Sequence, residues 1–193
     1  MAKKKISDKI QAKARKVKKS APEKEIKLPP KVAKLISYLL KAGVSHDLLR
    51  HKTVYTAYDA AATMKKKLSE MAKSLLIKAD KDYYAVILPA DHNLDMEKLK
   101  KIISKAGGKD IKAIKIPGEK VMTEVLKVKN MAMTAFGGLH DLPVIAEKNL
   151  EKAKKIIFPS GGFNYSVEMK LKDFVKLENA ILGKFGVKRK KKK

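Results

Sequence analysis

Cysteine is absent from all 193 residues, and so is tryptophan. Without cysteine there can be no disulfide, no cysteine-ligated zinc, no iron–sulfur cluster and no thiol nucleophile. The absence also fits a reducing compartment. Long apolar runs are missing as well. The longest candidate, Tyr83 to Ala90, falls far short of the ~20 residues a membrane-spanning helix needs. Met1-Ala2-Lys3-Lys4-Lys5 has no apolar stretch behind it, which argues against a secretory signal. The expected location is therefore the cytoplasm. There is no Gly-x-Ser-x-Gly elbow and no Gly-x-x-x-x-Gly-Lys-Ser/Thr loop. None of the four histidines, His46, His51, His92 and His140, has a histidine partner at helical spacing. Neither a metal site nor a cofactor is expected.

Acidic residues are also scarce, 20 against 46 Lys and Arg, for a formal charge of +26. The imbalance is concentrated at the ends. Residues 1–30 hold eleven basic and three acidic groups, and residues 184–193 hold seven basic and none acidic. Such ends repel themselves unless a polyanion neutralises them. The candidate nucleic-acid contacts are Lys3, Lys4, Lys5, Lys16, Lys18 and Lys19 at the front, and Lys188, Arg189, Lys190 and Lys191 at the back. Six lysines engaged on single-stranded RNA would give a log–log salt slope of roughly −4. Hydrophobic residues make up 45%, enough for a real core. The expected organisation is a basic extension over 1–29, a globular domain over 30–183 and a lysine-rich tail over 184–193, with both tails disordered.

Inside the domain, Val32, Leu35, Ile36, Leu39 and Leu40 recur at helical spacing behind Pro30, and Gly43 stops the run. Val44 to Val54 has room for a strand. Thr56 with Asp59 three residues on opens a second helix, expected to run to about Ala72. Ser74–Ala79 and Tyr83–Ala90 read as a hairpin turning at Asp80-Lys81-Asp82. Pro89 to Asn93 reads as a loop, Asp95–Ala106 as a helix, Ile111–Ile116 as a strand and Gly118–Leu126 as a short helix. Val128–Thr134 reads as a strand entering the Gly- and Pro-rich stretch from Phe136 to Pro143. Further strands are expected at Val144–Ala146, Lys155–Phe158 and Tyr165–Met169. Phe174, Leu177, Ile181 and Leu182 predict a last helix ended by Gly183. The mixture without strict alternation points to an α+β (mixed α/β) fold. Six or seven strands would form a twisted mixed sheet or a partly closed barrel, with helices packed outside.

Several stretches carry a resemblance. Lys73-Ser74-Leu75-Leu76 is followed by Tyr84-Ala85-Val86-Ile87-Leu88-Pro89-Ala90-Asp91 and then Leu94-Asp95. Upstream, His51 precedes Thr56-Ala57-Tyr58-Asp59-Ala60-Ala61. Downstream stand Gly137-Gly138, Pro143, Gly161-Gly162 and Val167-Glu168-Met169, in that order. Over about residues 31–183 this set resembles the YbaK/ProX family of aminoacyl-tRNA editing domains. That family hydrolyses the ester joining a wrong amino acid to the 3′ end of tRNA. The resemblance implies that Lys73 is the active-site lysine, holding the terminal phosphate or hydroxyls or steadying transition-state charge. It implies that Gly137, Gly138 and Pro143 shape the aminoacyl pocket, with backbone N–H groups offered to the carbonyl oxygen, and that His51 stands where the family has a histidine; His140, in the stretch that departs from the family, is a further candidate substrate contact. The ammonium and the glycine pair would then face each other across one hollow. Four residues stand between Gly138 and Pro143 where the family usually has two, and Glu147 ends the next strand where the family often has Asp.

The implied activity is a deacylase acting in trans on mischarged tRNA, with tRNA as the expected partner and an aminoacyl-tRNA synthetase as a second candidate. An alternative keeps the fold but not the catalysis, leaving a module that holds RNA or a synthetase. A third, a DNA-compacting protein, rests on charge alone.

Overall fold

A computed structural model describes residues 28–127 and 132–189. Helix α1 (Pro30–Lys41) starts on a proline whose missing N–H no helix would have used, and buries Val32, Leu35 and Leu39. Strand β1 (Asp47–Arg50) follows. Helix α2 (Ala57–Met64) is capped by the Thr56 hydroxyl, which accepts the Asp59 N–H at 3.1 Å. Strands β2 (Ala72–Ala79) and β3 (Asp82–Pro89) form the expected hairpin, with Asp80 in the left-handed region at φ 51°. Then come β4 (His92–Leu94), α3 (Met96–Gly107), β5 (Ile114–Lys115) and α4 (Glu119–Leu126). The second half holds β6 (Val144–Glu147), β7 (Ile156–Pro159), β8 (Tyr165–Met169), α5 (Leu171–Glu178), β9 (Ile181–Gly183) and β10 (Gly186–Lys188).

Among the described residues the strands make three sheets. The largest runs β5-β2-β3-β6-β9, antiparallel at β2–β3 and β2–β5 and parallel at β3–β6 and β6–β9. A second runs β1-β8-β7, and β4 pairs with β10. Met71 bridges to Ile157, joining the two larger sheets at one point. None closes into a barrel. The class is the mixed α+β sheet expected, with ten short strands instead of six or seven.

Alternation along β2 and β3 divides the interior. Leu76, Ala85 and Ile87 face a large cluster with Leu35, Phe136, Phe158 and Phe174, whose rings stack and tilt at 4.3–6.0 Å. Ile77, Ala79, Val86 and Leu88 face Leu99 and Ile103 of α3, with Phe185. Met71, Ala90 and Ile157 pack under α2 on the latter side.

Several boundaries differ from expectation. Helix α2 ends at Met64, where Lys65 turns left-handed, and Leu68 belongs to a separate 3-10 turn. The last helix ends at Glu178 on a left-handed Asn179, so Ile181 and Leu182 lie in β9 beside β6. The expected long strands at 44–54 and 111–116 shrink to four and two residues. His92 and Asn93, expected in a loop, belong to a strand with Leu94 because the chain end returns to pair with them. That return also corrects the tail. Phe185 is fully buried and Gly186–Lys188 is paired, so residues 184–189 belong to the folded unit. Part of the predicted 128–134 strand lies outside the described residues. Thr134 within it makes an isolated bridge to Ser160.

Candidate active site

Lys73 sits one residue into β2, opposite Leu88 of β3. Cross-strand neighbours share a face, and Leu88 packs with the α3 cluster, so Lys73 points to that side. Its ammonium is half-buried and donates a hydrogen bond to the His92 carbonyl. Burial, and secondarily the Arg189 guanidinium, pulls its pKa below the usual lysine value, while Asp91 opposes the shift. Arg189 is held in place by its neighbours. Its backbone N–H donates to the Asp91 carbonyl at 2.9 Å. Its side chain donates to Asn93 Oδ1 and to the Tyr58 hydroxyl, and its guanidinium lies 5.2 Å from the Tyr58 ring centre. His92 donates from Nδ1 to Asp91 at 2.7 Å.

His51 lies on the same side of the molecule. Its Nδ1 is 2.8 Å from the Lys52 carbonyl, which can only accept, so Nδ1 carries the proton. Nε2 then accepts from the Ser166 hydroxyl at 3.0 Å. Ser166 pairs with Pro159 in β7 and shares a face with Ile157 and Met71. The order O–H to N, N–H to O is that of a nucleophile and its base. Ser166 is only 5% exposed, however, so the bond serves to fix the imidazole ring.

The glycine loop lies elsewhere. Gly137–His140 forms a 3-10 turn on the opposite face of the large sheet. A side chain on Gly137 would come within 2.6 Å of the Leu142 carbonyl and of Val144, and within 3.2 Å of the Ala85 methyl in the large cluster. The close packing of the loop against Leu142, Val144 and Ala85 leaves room for glycine at this position. The Gly138 N–H, expected to await a carbonyl oxygen, donates at 2.8 Å to Glu178 Oε2, and the Tyr38 hydroxyl donates to Oε1 at 3.1 Å. Burial raises the Glu178 carboxyl above its usual range, against the opposing hydrogen bonds from Gly138, Tyr38 and Gly137. Burial, then Glu178, pushes Tyr38 up to about 12. Pro143 is exposed at the entry to β6 and its carbonyl accepts the Ala85 N–H.

His140 lines a cavity of about 340 Å³ with Lys31 and Lys34 of α1, Lys127, Asp141, Thr134 and Ser160. Burial lowers the His140 pKa first, and the two α1 ammonium groups lower it further. The expected site residues therefore divide. Lys73 and His51 occupy one face, while Gly137, Gly138, Pro143 and His140 occupy the other. Of the cationic contacts expected from sequence, Lys188 and Arg189 are placed in and just after β10. Lys3, Lys4, Lys5, Lys16, Lys18, Lys19, Lys190 and Lys191 lie outside the described residues. Sequence reasoning did not anticipate Tyr58 or Asn93 around Arg189, nor Glu178 on the glycine pair. Their spacing, up to 140 residues along the chain, leaves no local pattern.

The described residues thus form a mixed α+β fold with a partly desolvated lysine and, on the same side, an imidazole held by Ser166. The sequence profile described as the aminoacyl-tRNA editing domain matches residues 51–177, and the chain belongs to that family. Among solved structures it is similar to a "putative trans-editing enzyme for prolyl tRNA synthetase", at 17% identity and a TM-score of 0.69 over 84% of this chain and 99% of that one. It is also similar to the hypothetical protein APE2540, at 19% identity and a TM-score of 0.68 over 80% and 99%. At these identities the likeness is one of fold. No curated protein matches the chain by sequence. Among the described residues, no helix is long and apolar enough to cross a membrane.

Proposed function

We propose that the protein is an aminoacyl-tRNA deacylase that acts in trans, hydrolysing the ester of mischarged tRNA. Family membership over residues 51–177 carries this reading. The environment of Lys73 supports it. An ammonium in a partly desolvated setting stabilises developing negative charge more than one in bulk water does. The neighbouring Arg189 adds a second cation for the terminal phosphate. Editing is needed because a binding pocket gains only ~1–3 kcal/mol per methylene, too little to reject small analogues during charging. Purified protein incubated with a panel of mischarged tRNAs releases amino acid from at least one of them, and Lys73→Ala slows release at least tenfold. Equal rates in the two proteins remove Lys73 from the mechanism.

One observation favours a second reading, a catalytically idle module that holds tRNA or a synthetase. The Gly138 N–H group is already engaged by Glu178, so it is closed to a substrate carbonyl in this conformation. Tight binding of uncharged tRNA, with no release from any aminoacyl-tRNA, selects that reading.

A further inference from the structure

We propose that the surface at the start of α2, carrying Tyr55, Tyr58, Phe163 and Arg189, is a stacking platform for the single-stranded 3′ end of an RNA. The inference rests on the tRNA reading above and names the part of the surface that takes the strand.

Two aromatic groups flank the Thr56 cap. Tyr55, just before it, is 77% exposed, although its ring is 5.0 Å from that of Phe163. Packing against Phe163 braces one side of the ring and leaves the rest in water. Burial of a tyrosine contributes to stability; a braced but exposed ring forgoes most of that gain and offers a π-face to an incoming base. Tyr58, two residues into the helix, is 38% exposed and lies under the Arg189 guanidinium. The guanidinium, bonded to the Tyr58 hydroxyl, sets a positive charge beside the ring, where a stacked base and its phosphate would both meet it.

The charges fit the same ligand. Exposed Arg50 and Lys52 stand in the segment beside Asn164 and Phe163, to which the His51 and Val54 N–H groups donate. Arg189 and the Lys73 ammonium lie close enough to influence each other. Four more lysines follow Arg189 in the sequence. The acids nearby are already engaged. Asp59 accepts the Thr56 hydroxyl at 2.7 Å, and Asp91 holds His92 at 2.7 Å. Rings spaced between cations suit a strand whose bases are free to stack while its phosphates are neutralised. Bases in a duplex are already stacked on one another and cannot use such a platform. The strand would lead along this face from Tyr55 towards Lys73.

The test measures equilibrium binding by fluorescence anisotropy, using a labelled, non-acylated single-stranded RNA with the sequence of a tRNA 3′ end and a blunt RNA duplex as comparison. Tyr55→Ala is expected to weaken single-strand binding about tenfold, the scale of one lost base stack, with duplex binding unchanged. Tyr55→Phe keeps the ring and is expected to stay within about twofold of the parent. Arg189→Ala is expected to make the log–log salt slope shallower by about 0.7, one phosphate contact on a single strand. Arg189→Lys, which is less disturbing to β10, restores the slope. Matching melting temperatures confirm that the variants are folded. Single-strand affinity and salt slope unchanged in both Tyr55→Ala and Arg189→Ala overturn the platform, as does an equal loss on the duplex. Because the RNA carries no ester, binding that depends on Tyr55 in a protein without deacylase activity sinks only the enzymatic reading. Full deacylase activity with Tyr55-independent binding sinks only the platform.

Discussion

The Glu147 carboxylate accepts the backbone N–H of Phe185 at 2.6 Å from a position with no solvent exposure. The same oxygen accepts the Gly186 N–H, and the other oxygen takes the backbone and side-chain N–H groups of Asn149. One side chain thus ties the end of β6 to the start of β10, and so fixes the strand that delivers Arg189 beside Lys73. Glu147→Ala would leave several buried donors without partners, at about 1–3 kcal/mol each. A loss of at least ~3 kcal/mol, or about 6–12 °C in Tm for a chain of this length, is expected in thermal unfolding. A loss under 1 °C would show that the buried donors find other partners.

Gly137 is packed against its own loop. Gly137→Ala places a methyl 2.6 Å from the Leu142 carbonyl and from Val144. Overpacking of this kind costs about 1–3 kcal/mol, and the expected readout is a lower denaturant midpoint with an unchanged m-value. An equally stable variant would mean that the turn relaxes freely.

Glu178 has a folded pKa raised above its ordinary value of 4.5. Such a group adds stability at pH below its unfolded pKa, and that contribution is lost as pH rises through the folded value. Glu178→Gln keeps an oxygen for the Gly138 N–H, turns its amide NH2 towards the Tyr38 hydroxyl oxygen as a donor, and cannot ionise. Its stability profile, measured by denaturant unfolding between pH 4 and 8, is expected to fall less steeply than that of the parent. Parallel profiles would rule out a raised pKa.

His140 behaves in the opposite sense. Its folded pKa lies below the ordinary 6.5, from burial and the Lys34 and Lys31 charges. A base with a depressed pKa contributes stability above the unfolded value, and that contribution is lost as pH falls through the folded one. Lys34→Ala is expected to move the His140 titration, followed by NMR of the ring protons, towards higher pH. A titration unmoved by the substitution would place the two groups too far apart to interact.

Lys73 gives a direct test of its neighbour. Arg189 lowers the Lys73 pKa, so Arg189→Ala is expected to raise it. The pH dependence of Lys73 acylation by an amine-reactive reagent, read by mass spectrometry, should shift to higher pH in the variant. An unchanged profile separates the two cations.

Local chemistry alone determined much of this protein. The proline start of α1, the Thr56–Asp59 cap, the Asp80 turn and the alternating β2–β3 hairpin each depend on residues within a few positions of one another, so their sequence pattern carries the structure. The ordered set around Lys73 also placed the chain in its family. Tertiary structure decided the rest. A periodicity of three and four could not tell that Leu68 had left α2 or that Ile181 and Leu182 would pair with β6, because an apolar residue satisfies either environment. The lysine-rich end looked free, yet burial of Phe185 and the Glu147 hydrogen bonds hold it against β4. Lys73 and the Gly137-Gly138 pair, expected to face each other across one hollow, pack against opposite faces of one sheet. Which face a side chain takes depends on strand register, and register is set by partners distant in the sequence.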